Sequence, residues 1–247
     1  MAIEVFNRYE NKYVFDHAAY QKLYGDLLEY MEPDAYNKQH EFYSITNLYY
    51  DTEHDTLIRN SLAKPKYKEK LRLRAYGVPD GDSKVYLEIK KKVFGLVNKR
   101  RTSLKLNEAY DFVRTGIEPE YRDGMNKQVI EELKYFLSRY ELLPKVYLSY
   151  ERKAMFCKDN RDLRITFDTN IRSRRYDLKL ESGPYGELLL PEGQWLMEVK
   201  AEKTIPVWLA NLLSEHRLYR TSFSKYGNEY KKMLKDSASE REIMLYA

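Results

Sequence analysis

The chain has 247 residues, of which 43% are hydrophobic and only 10 are Gly and 8 Pro. These numbers exclude a disordered tail or a collagen-like repeat and predict one elaborated domain, residues 1–247, with a substantial core. Lys+Arg 43 against Asp+Glu 38 leaves a net charge of +5, too mild to mark a nucleic-acid binder. The single cysteine, Cys157, excludes an internal disulfide and a multi-thiolate metal site, suits a reducing compartment and reads as buried and inert.

The first fifteen residues carry charges where a secretory leader needs an apolar core, and no stretch approaches the roughly 18 apolar residues of a membrane span. The expectation is a soluble, cytoplasmic protein with no membrane segment of its own. In chain order, strands are expected at Glu4–Phe15, Tyr43–Asp51, Tyr67–Tyr76, Lys84–Val93, Leu96–Leu106, Lys145–Cys157, Asp162–Asp168, Glu187–Leu190 and Gln194–Glu202. Apolar spacing predicts helices through Tyr20, Leu23, Tyr24, Leu27 and Met31, through Ile130, Leu133, Leu137 and Tyr140, and through Ile205, Trp208, Leu209, Leu212 and Leu213. Thr204 and Pro206 signal the start of the third, and a terminal helix is expected from about residue 222 to 236. Strands flanked by helices indicate an α+β fold. The 24 Tyr against 9 Phe point to side chains that pack their rings while their hydroxyls meet polar groups.

Side chains alternate across a strand, so residues two apart share a face. Lys68, Lys70, Arg72 and Arg74 share one face, with Leu71, Leu73 and Ala75 on the other. Glu88, Lys90 and Lys92 repeat the pattern, as do Lys99 and Arg101 after Gly95, Arg8, Glu10 and Lys12 near the start, Arg164, Thr166 and Asp168, and Glu198, Lys200 and Glu202. One strand of this kind is most simply a solvated face. Six, almost without Ser, Gln or Asn, predict a sheet covered outside by helices and closed around a charged lumen. Converging cations that the few carboxylates cannot neutralise require a polyanion, and a nucleoside triphosphate or polyphosphate fits. Glu10, Glu88, Glu198 and Asp168 could hold a hard divalent ion bridging its phosphates. The sequence lacks the glycine-rich phosphate loop G-x-x-x-x-G-K-[ST] and the G-x-G-x-x-G fingerprint. The four histidines have no zinc-site spacing. Trp195 and Trp208 read as packing residues, Lys64, Lys66 and Lys68 as a solvated turn or an anion-attracting entrance, Arg100 as an exposed charge, and Glu10–Lys12 alternatively as a structural ion pair.

Arg-Tyr-Glu-Asn-Lys-Tyr (Arg8 to Tyr13), Leu-Arg-Leu-Arg (Leu71 to Arg74), Leu-Glu-Ile-Lys (Leu87 to Lys90), Tyr-Glu-Arg-Lys-Ala (Tyr150 to Ala154), Leu-Arg-Ile-Thr-Phe-Asp (Leu163 to Asp168), Met-Glu-Val-Lys (Met197 to Lys200) and Phe-Ser-Lys-Tyr (Phe223 to Tyr226) occur in that order. The set resembles the VTC-type polyphosphate polymerase domain of the CYTH, or triphosphate tunnel metalloenzyme, superfamily, from about Glu4 to Tyr230. The resemblance implies a closed eight-stranded antiparallel β-barrel tunnel with flanking helices. It also implies transfer of the terminal phosphoryl group of ATP onto inorganic polyphosphate with Mn2+ or Mg2+. Carried over by position, Lys12, Arg72, Arg74, Lys90, Arg152, Arg164 and Lys225 match phosphate-binding cations, Lys99 or Arg101 a further one, and Glu198 the metal-holding glutamate. Ser222 stands where such polymerases often carry Lys, and Arg8-x-Glu10-x-Lys12 replaces the superfamily's E-x-E-x-K.

On this reading Arg72, Arg74, Lys90 and Arg164 grip the β- and γ-phosphates. Lys12 and Lys200 lie near the transferring group or guide the product, and Arg152, Lys225, Lys99 and Arg101 line an exit path. Glu198, with Glu10 and Glu88, is the candidate metal set. A triphosphatase in the same tunnel and a non-catalytic polyphosphate or inositol-phosphate sensor are the competing readings. A membrane partner recruited in trans stays open, and RNA binding lacks the stacking motifs it would need.

Overall fold

The computed structural model describes residues 5–6, 9–94, 96–202 and 204–246, with the side chains of residues 5, 6, 9 and 240–246 left aside. The expected contributions of Glu4, Arg8 and Gly95 lie outside the described residues. The strands are β1 (Val5–Phe6), β2 (Tyr9–Asp16), β3 (Met31–Pro33), β4 (Tyr43–Asp51), β5 (Tyr67–Tyr76), β6 (Lys84–Val93), β7 (Leu96–Lys105), β8 (Leu143–Cys157), β9 (Arg164–Arg174), β10 (Glu187–Leu188) and β11 (Gln194–Ala201). The helices are α1 (His17–Leu27), α2 (Thr56–Leu62), α3 (Leu106–Thr115), α4 (Lys127–Arg139), α5 (Val207–Glu215) and α6 (Lys225–Tyr246).

All eleven strands join one antiparallel sheet in the order β1-β7-β6-β5-β4-β8-β9-β11-β2, with β10 on β9 and β3 on β8. The fold is therefore α+β, as expected. A closed eight-stranded barrel is not what the hydrogen bonds draw: the described ladder is open, with β1 and β2 as its two end strands. These ends are neighbours in sequence, for Phe6 pairs with Val97 of β7 and Tyr9 with Ala201 of β11. The sheet also curls. Lys90 of β6 feels the charges of Glu10 and Lys12 on β2 and of Lys200 on β11, strands far from it along the ladder.

Alternation decides which face meets which layer. Leu71, Leu73 and Ala75 of β5 and Val85, Leu87 and Ile89 of β6 pack outward against Phe112 of α3 and Ile130 and Leu133 of α4. Tyr13 and Phe15 of β2, Ile165 and Phe167 of β9 and Met197 and Val199 of β11 pack outward against Leu23 and Leu27 of α1 and Leu209 and Leu213 of α5. Trp195 stacks on Tyr20 at 3.7 Å and Trp208 on Tyr30 at 4.4 Å, so both tryptophans are packing residues. Cys157 is buried.

One expectation needs correction: the inner face is not charged throughout. Ile45, Val146, Leu148, Ile171 and Leu196 share it and bury Ile58 of α2 with Phe223, Tyr226 and Tyr230 at and before the start of α6. A helix thus fills part of the lumen with apolar groups. The expected terminal helix of about 222 to 236 is Lys225–Tyr246, with no Gly or Pro after Gly227 to stop it earlier. The predicted stripe to Met31 ends at Leu27, and Met31 instead pairs with Cys157 in β3. Helix α2 was not expected. Its first amides, Leu57 N and Ile58 N, are held at 2.8 and 2.9 Å by the Asp51 carboxylate at the end of β4, a cap supplied from outside the usual N-cap position. No described helix is long and apolar enough to cross a membrane.

Candidate active site

One wall of the inner face comes from β4 to β8. Arg72 faces Glu88 across β5 and β6, and its Nε donates to Glu88 Oε2 at 2.6 Å while Nη1 donates to the Tyr49 hydroxyl at 3.2 Å. Lys99 lies 2.9 Å from Glu88 Oε1. Burial alone would raise the Glu88 carboxyl, but Arg72, Arg74 and Lys99 hold it far below the usual carboxylate range. Arg74 is buried, and its Nε donates to Asn47 Oδ1 at 2.9 Å and its Nη2 to the Tyr150 hydroxyl at 3.1 Å. Two contacts at fixed angles orient each guanidinium before any ligand arrives.

Beside these arginines Lys70 and Lys90 have no ion-pair partner among the described residues, and Lys99 shares Glu88 with Arg72. Lys70 contacts the Tyr226 ring at 5.7 Å. Burial, with Lys90 and Lys68 nearby, lowers its pKa to about 8. Burial also lowers Lys90, with Glu10 opposing and Arg72 and Lys200 reinforcing the shift. Lys99 falls to about 7 because burial, Arg72 and Arg74 outweigh Glu88. In all three, burial is the largest cause and the neighbouring cations add to it.

The facing wall comes from β2, β8, β9, β11 and α6. Arg152 grips Asp168 through Nε–Oδ1 at 2.6 Å and Nη2–Oδ2 at 2.8 Å, and Lys225 also bonds Asp168 Oδ2. Glu198 meets Lys12 at 3.1 Å, Lys200 at 3.3 Å and Lys225 at 3.8 Å. Burial opposes its charge, yet Lys200, Lys225 and Lys12 keep it well below the ordinary glutamate value. Lys12 also pairs with Glu10 at 3.2 Å and donates to the Phe223 carbonyl at 2.9 Å. Its ammonium stands between two carboxylates, which lift its pKa despite burial. Arg164 leans on the Phe156 ring at 5.1 Å, reaches Asp34 at 3.9 Å, and has a buried Nε without a hydrogen-bond partner.

Twelve of the thirteen expected residues thus stand on the inner face of the curled sheet, Lys12, Arg72, Arg74, Lys90, Lys99, Arg101, Arg152, Arg164, Lys200, Glu10, Glu88 and Glu198, and Lys225 reaches that face from the start of α6. The three expected metal carboxylates do not all meet. Glu10 and Glu198 share Lys12, whereas Glu88 belongs to the Arg72 and Lys99 pairings on the opposite wall. Among the described residues no three His, Cys, Asp or Glu side chains form a metal-holding group. The donor chemistry of Glu10 and Glu198 nevertheless fits a hard divalent cation that takes one or two protein carboxylates and its remaining oxygens from a substrate's phosphates. Lys12 now lies between that pair. Arg100 is no simple surface charge: it turns to the outer face and bonds Glu132 of α4 at 3.3 Å. Sequence reading left out Tyr49, Tyr150 and Asn47, neutral side chains that set the arginines. It also left out Lys70, although its spacing from Arg72 is the signal that places it.

A family comparison decides between these possibilities of descent: the VTC domain profile matches residues 7–234. The chain belongs to the VTC domain family. For this VTC domain a search of the curated proteins finds no match. Among solved structures, it resembles a Bacillus halodurans protein described as a putative adenylate cyclase (bh2851), with a TM-score of 0.53 and 15% identity over 87% of this chain and 92% of that one. It also matches the Hippeastrum protein HpAC1, described as a putative adenylyl cyclase with a dominant triphosphatase activity, at TM-score 0.47 and 16% identity over 88% and 92% of the two chains. The VTC domain thus shares its fold with the Bacillus protein across nearly the full length of both.

Proposed function

We propose that this VTC domain is a metal-dependent polyphosphate polymerase, which transfers the terminal phosphoryl group of ATP to an inorganic polyphosphate chain lying along the inner face of the curled sheet as in a tunnel. One observation carries the reading: cations on that face outnumber carboxylates, and the buried lysines Lys70 and Lys90, which lack an ion-pair partner among the described residues, have depressed pKa values. Such a field is stabilised by an extended polyanion.

Phosphoryl transfer asks the protein for position and charge more than for covalent chemistry. Arg72 and Arg74, fixed by Tyr49, Asn47 and Tyr150, hold the β- and γ-phosphate oxygens, with Lys90 and Arg164 completing the grip. Glu198, assisted by Glu10, would hold Mn2+ or Mg2+, which supplies charge neutralisation at the transferring phosphoryl group. Lys12 and Lys200 move off Glu198 onto phosphate oxygens as the polyanion enters. The acceptor is itself an anionic phosphate oxygen and needs no base. On this face Glu10, Glu88, Asp168 and Glu198 all bear ion pairs.

The test is incubation of the purified protein with ATP and Mn2+, followed by a gel that separates phosphate polymers from orthophosphate. Long chains support the polymerase. Orthophosphate alone makes the protein a triphosphatase, and no loss of ATP makes it a binding module.

A further inference from the structure

The β4–β5–β6 wall has a direction. Tyr43 at the start of β4, Tyr76 at the end of β5 and Tyr86 near the start of β6 share the inner face with the arginines, since Tyr43 pairs with Arg152, Tyr76 with Ile45 and Tyr86 with Arg74. The opposite end of the same strands carries Lys68 and Lys92, paired across β5 and β6, with Lys70 and Lys90 next inward. Aromatic rings, arginines and lysines therefore follow one another along the wall.

At the aromatic end the rings are linked without being sealed. Tyr76 lies 6.2 Å from Tyr43 and meets Tyr86 edge to face at 5.9 Å, and Tyr36 joins Tyr43 at 5.2 Å. Tyr76 is 46% and Tyr36 56% exposed. Rings serving only as core would be covered. The Arg101 guanidinium stands 4.8 Å from the Tyr86 centroid and ties this end to the phosphate-gripping row. The charge is mixed here: the Asp34 carboxylate lies 3.5 Å from the Tyr43 hydroxyl and is countered by Arg164 at 3.9 Å. An uncharged flat group beyond the last phosphate fits the position. Tyr76 follows Arg74 by two residues, roughly 6.6 Å along the strand, which leaves room for a sugar.

We infer that Tyr76 and Tyr86, backed by Tyr43, form a stacking platform for the nucleobase of a nucleoside triphosphate. The base lies at the tyrosine end and the terminal phosphate points toward the lysine end. This rests on the nucleotide reading above and adds the direction of the substrate and the residues that distinguish a nucleotide from inorganic phosphate. Every base has a π-face, so stacking of this kind accepts ATP and GTP alike.

The experiment is calorimetric titration of ATP, GTP and inorganic tripolyphosphate, each with Mg2+, into the wild-type protein, the Tyr76→Ala/Tyr86→Ala variant and the Tyr76→Phe/Tyr86→Phe variant. The alanine pair is expected to bind ATP and GTP about tenfold or more weakly and tripolyphosphate as wild type does. The phenylalanine pair, which keeps the rings, is expected to bind all three normally. Unchanged tripolyphosphate affinity also shows that the alanine variant is folded. If the alanine pair loses nucleotide and tripolyphosphate equally, or loses neither, the platform is wrong while the tunnel reading stands. If wild-type protein binds none of the three ligands, both fall.

Discussion

Arg152 and Asp168 face each other across β8 and β9 and join through two parallel hydrogen bonds of 2.6 and 2.8 Å, with Asp168 wholly buried. Lys225, the first residue of α6, bonds the same carboxylate. Asp168 therefore anchors the terminal helix to the sheet, a structural task distinct from that of Glu198.

Removing that carboxylate leaves the buried Arg152 without its ion-pair partner, and Lys225 with Glu198 alone at 3.8 Å. Asp168→Asn is expected to destabilise the protein by about 3–5 kcal/mol, read as a lower urea midpoint. A loss below about 1 kcal/mol would show the pair to be incidental. Burial opposes the Asp168 charge but Arg152 and Lys225 depress its pKa, so its contribution is present above the unfolded-state value near 3.9 and disappears as the pH falls through the lower folded-state value.

Glu198 predicts a different phenotype. Glu198→Gln keeps the side chain's size and removes the charge from the candidate metal pair. Metal-dependent formation of polymer should fall at least 100-fold while the unfolding transition remains cooperative. Full activity in this variant would remove Glu198 from the mechanism.

Arg74 tests preorganisation. A lysine cannot reproduce the fork to Asn47 and Tyr150, so Arg74→Lys should weaken tripolyphosphate binding roughly tenfold or more, the scale of one charge-assisted hydrogen bond. Asn47→Ala should give a smaller loss in the same titration, because it leaves the charge and releases only one side of the fork. Equal affinity in the lysine variant would mean that charge alone matters.

The low pKa values of Lys99 and Lys70, about 7 and about 8, set a proton signature. Both ammoniums thus lose their protons at lower pH than an ordinary lysine does. A bound polyanion favours both ammoniums, so binding takes up protons and weakens as the pH rises from 7 to 9. Calorimetry in two buffers of different ionisation heat measures the uptake directly; proton release, or none, would contradict it.

Much of this was legible in the sequence, and the exceptions share a cause. Tyr43–Asp51, Tyr67–Tyr76 and Lys84–Val93 are strands with the bounds predicted for them, because they are rich in β-branched and aromatic residues or, as in Lys70–Ala75, alternate in polarity. The cationic rows follow from the same rule. What strand patterning could not show was how far the sheet curls. Nor could it show the strand order and register, which set Glu10 beside Glu198 across β2 and β11 with Glu88 elsewhere, and put Asn47 and Tyr49 opposite Arg74 and Arg72. Helix α2 escaped for a related reason, since its capping carboxylate comes from the preceding strand. Helix α3 was readable in hindsight: Leu106, Ala109, Phe112 and Val113 repeat at helical spacing and Gly116 ends it in the left-handed region at φ 72°.

The placement of β1 and β2 at opposite ends of the ladder bears on how the chain is born. Residues Tyr9–Asp16 leave the ribosome long before their partner, Gln194–Ala201. At about 5–20 residues per second, that wait is on the order of ten seconds or longer. During it β2 lacks its ladder partner, so escape from aggregation in synthesis depends on what shields those few residues until β11 arrives.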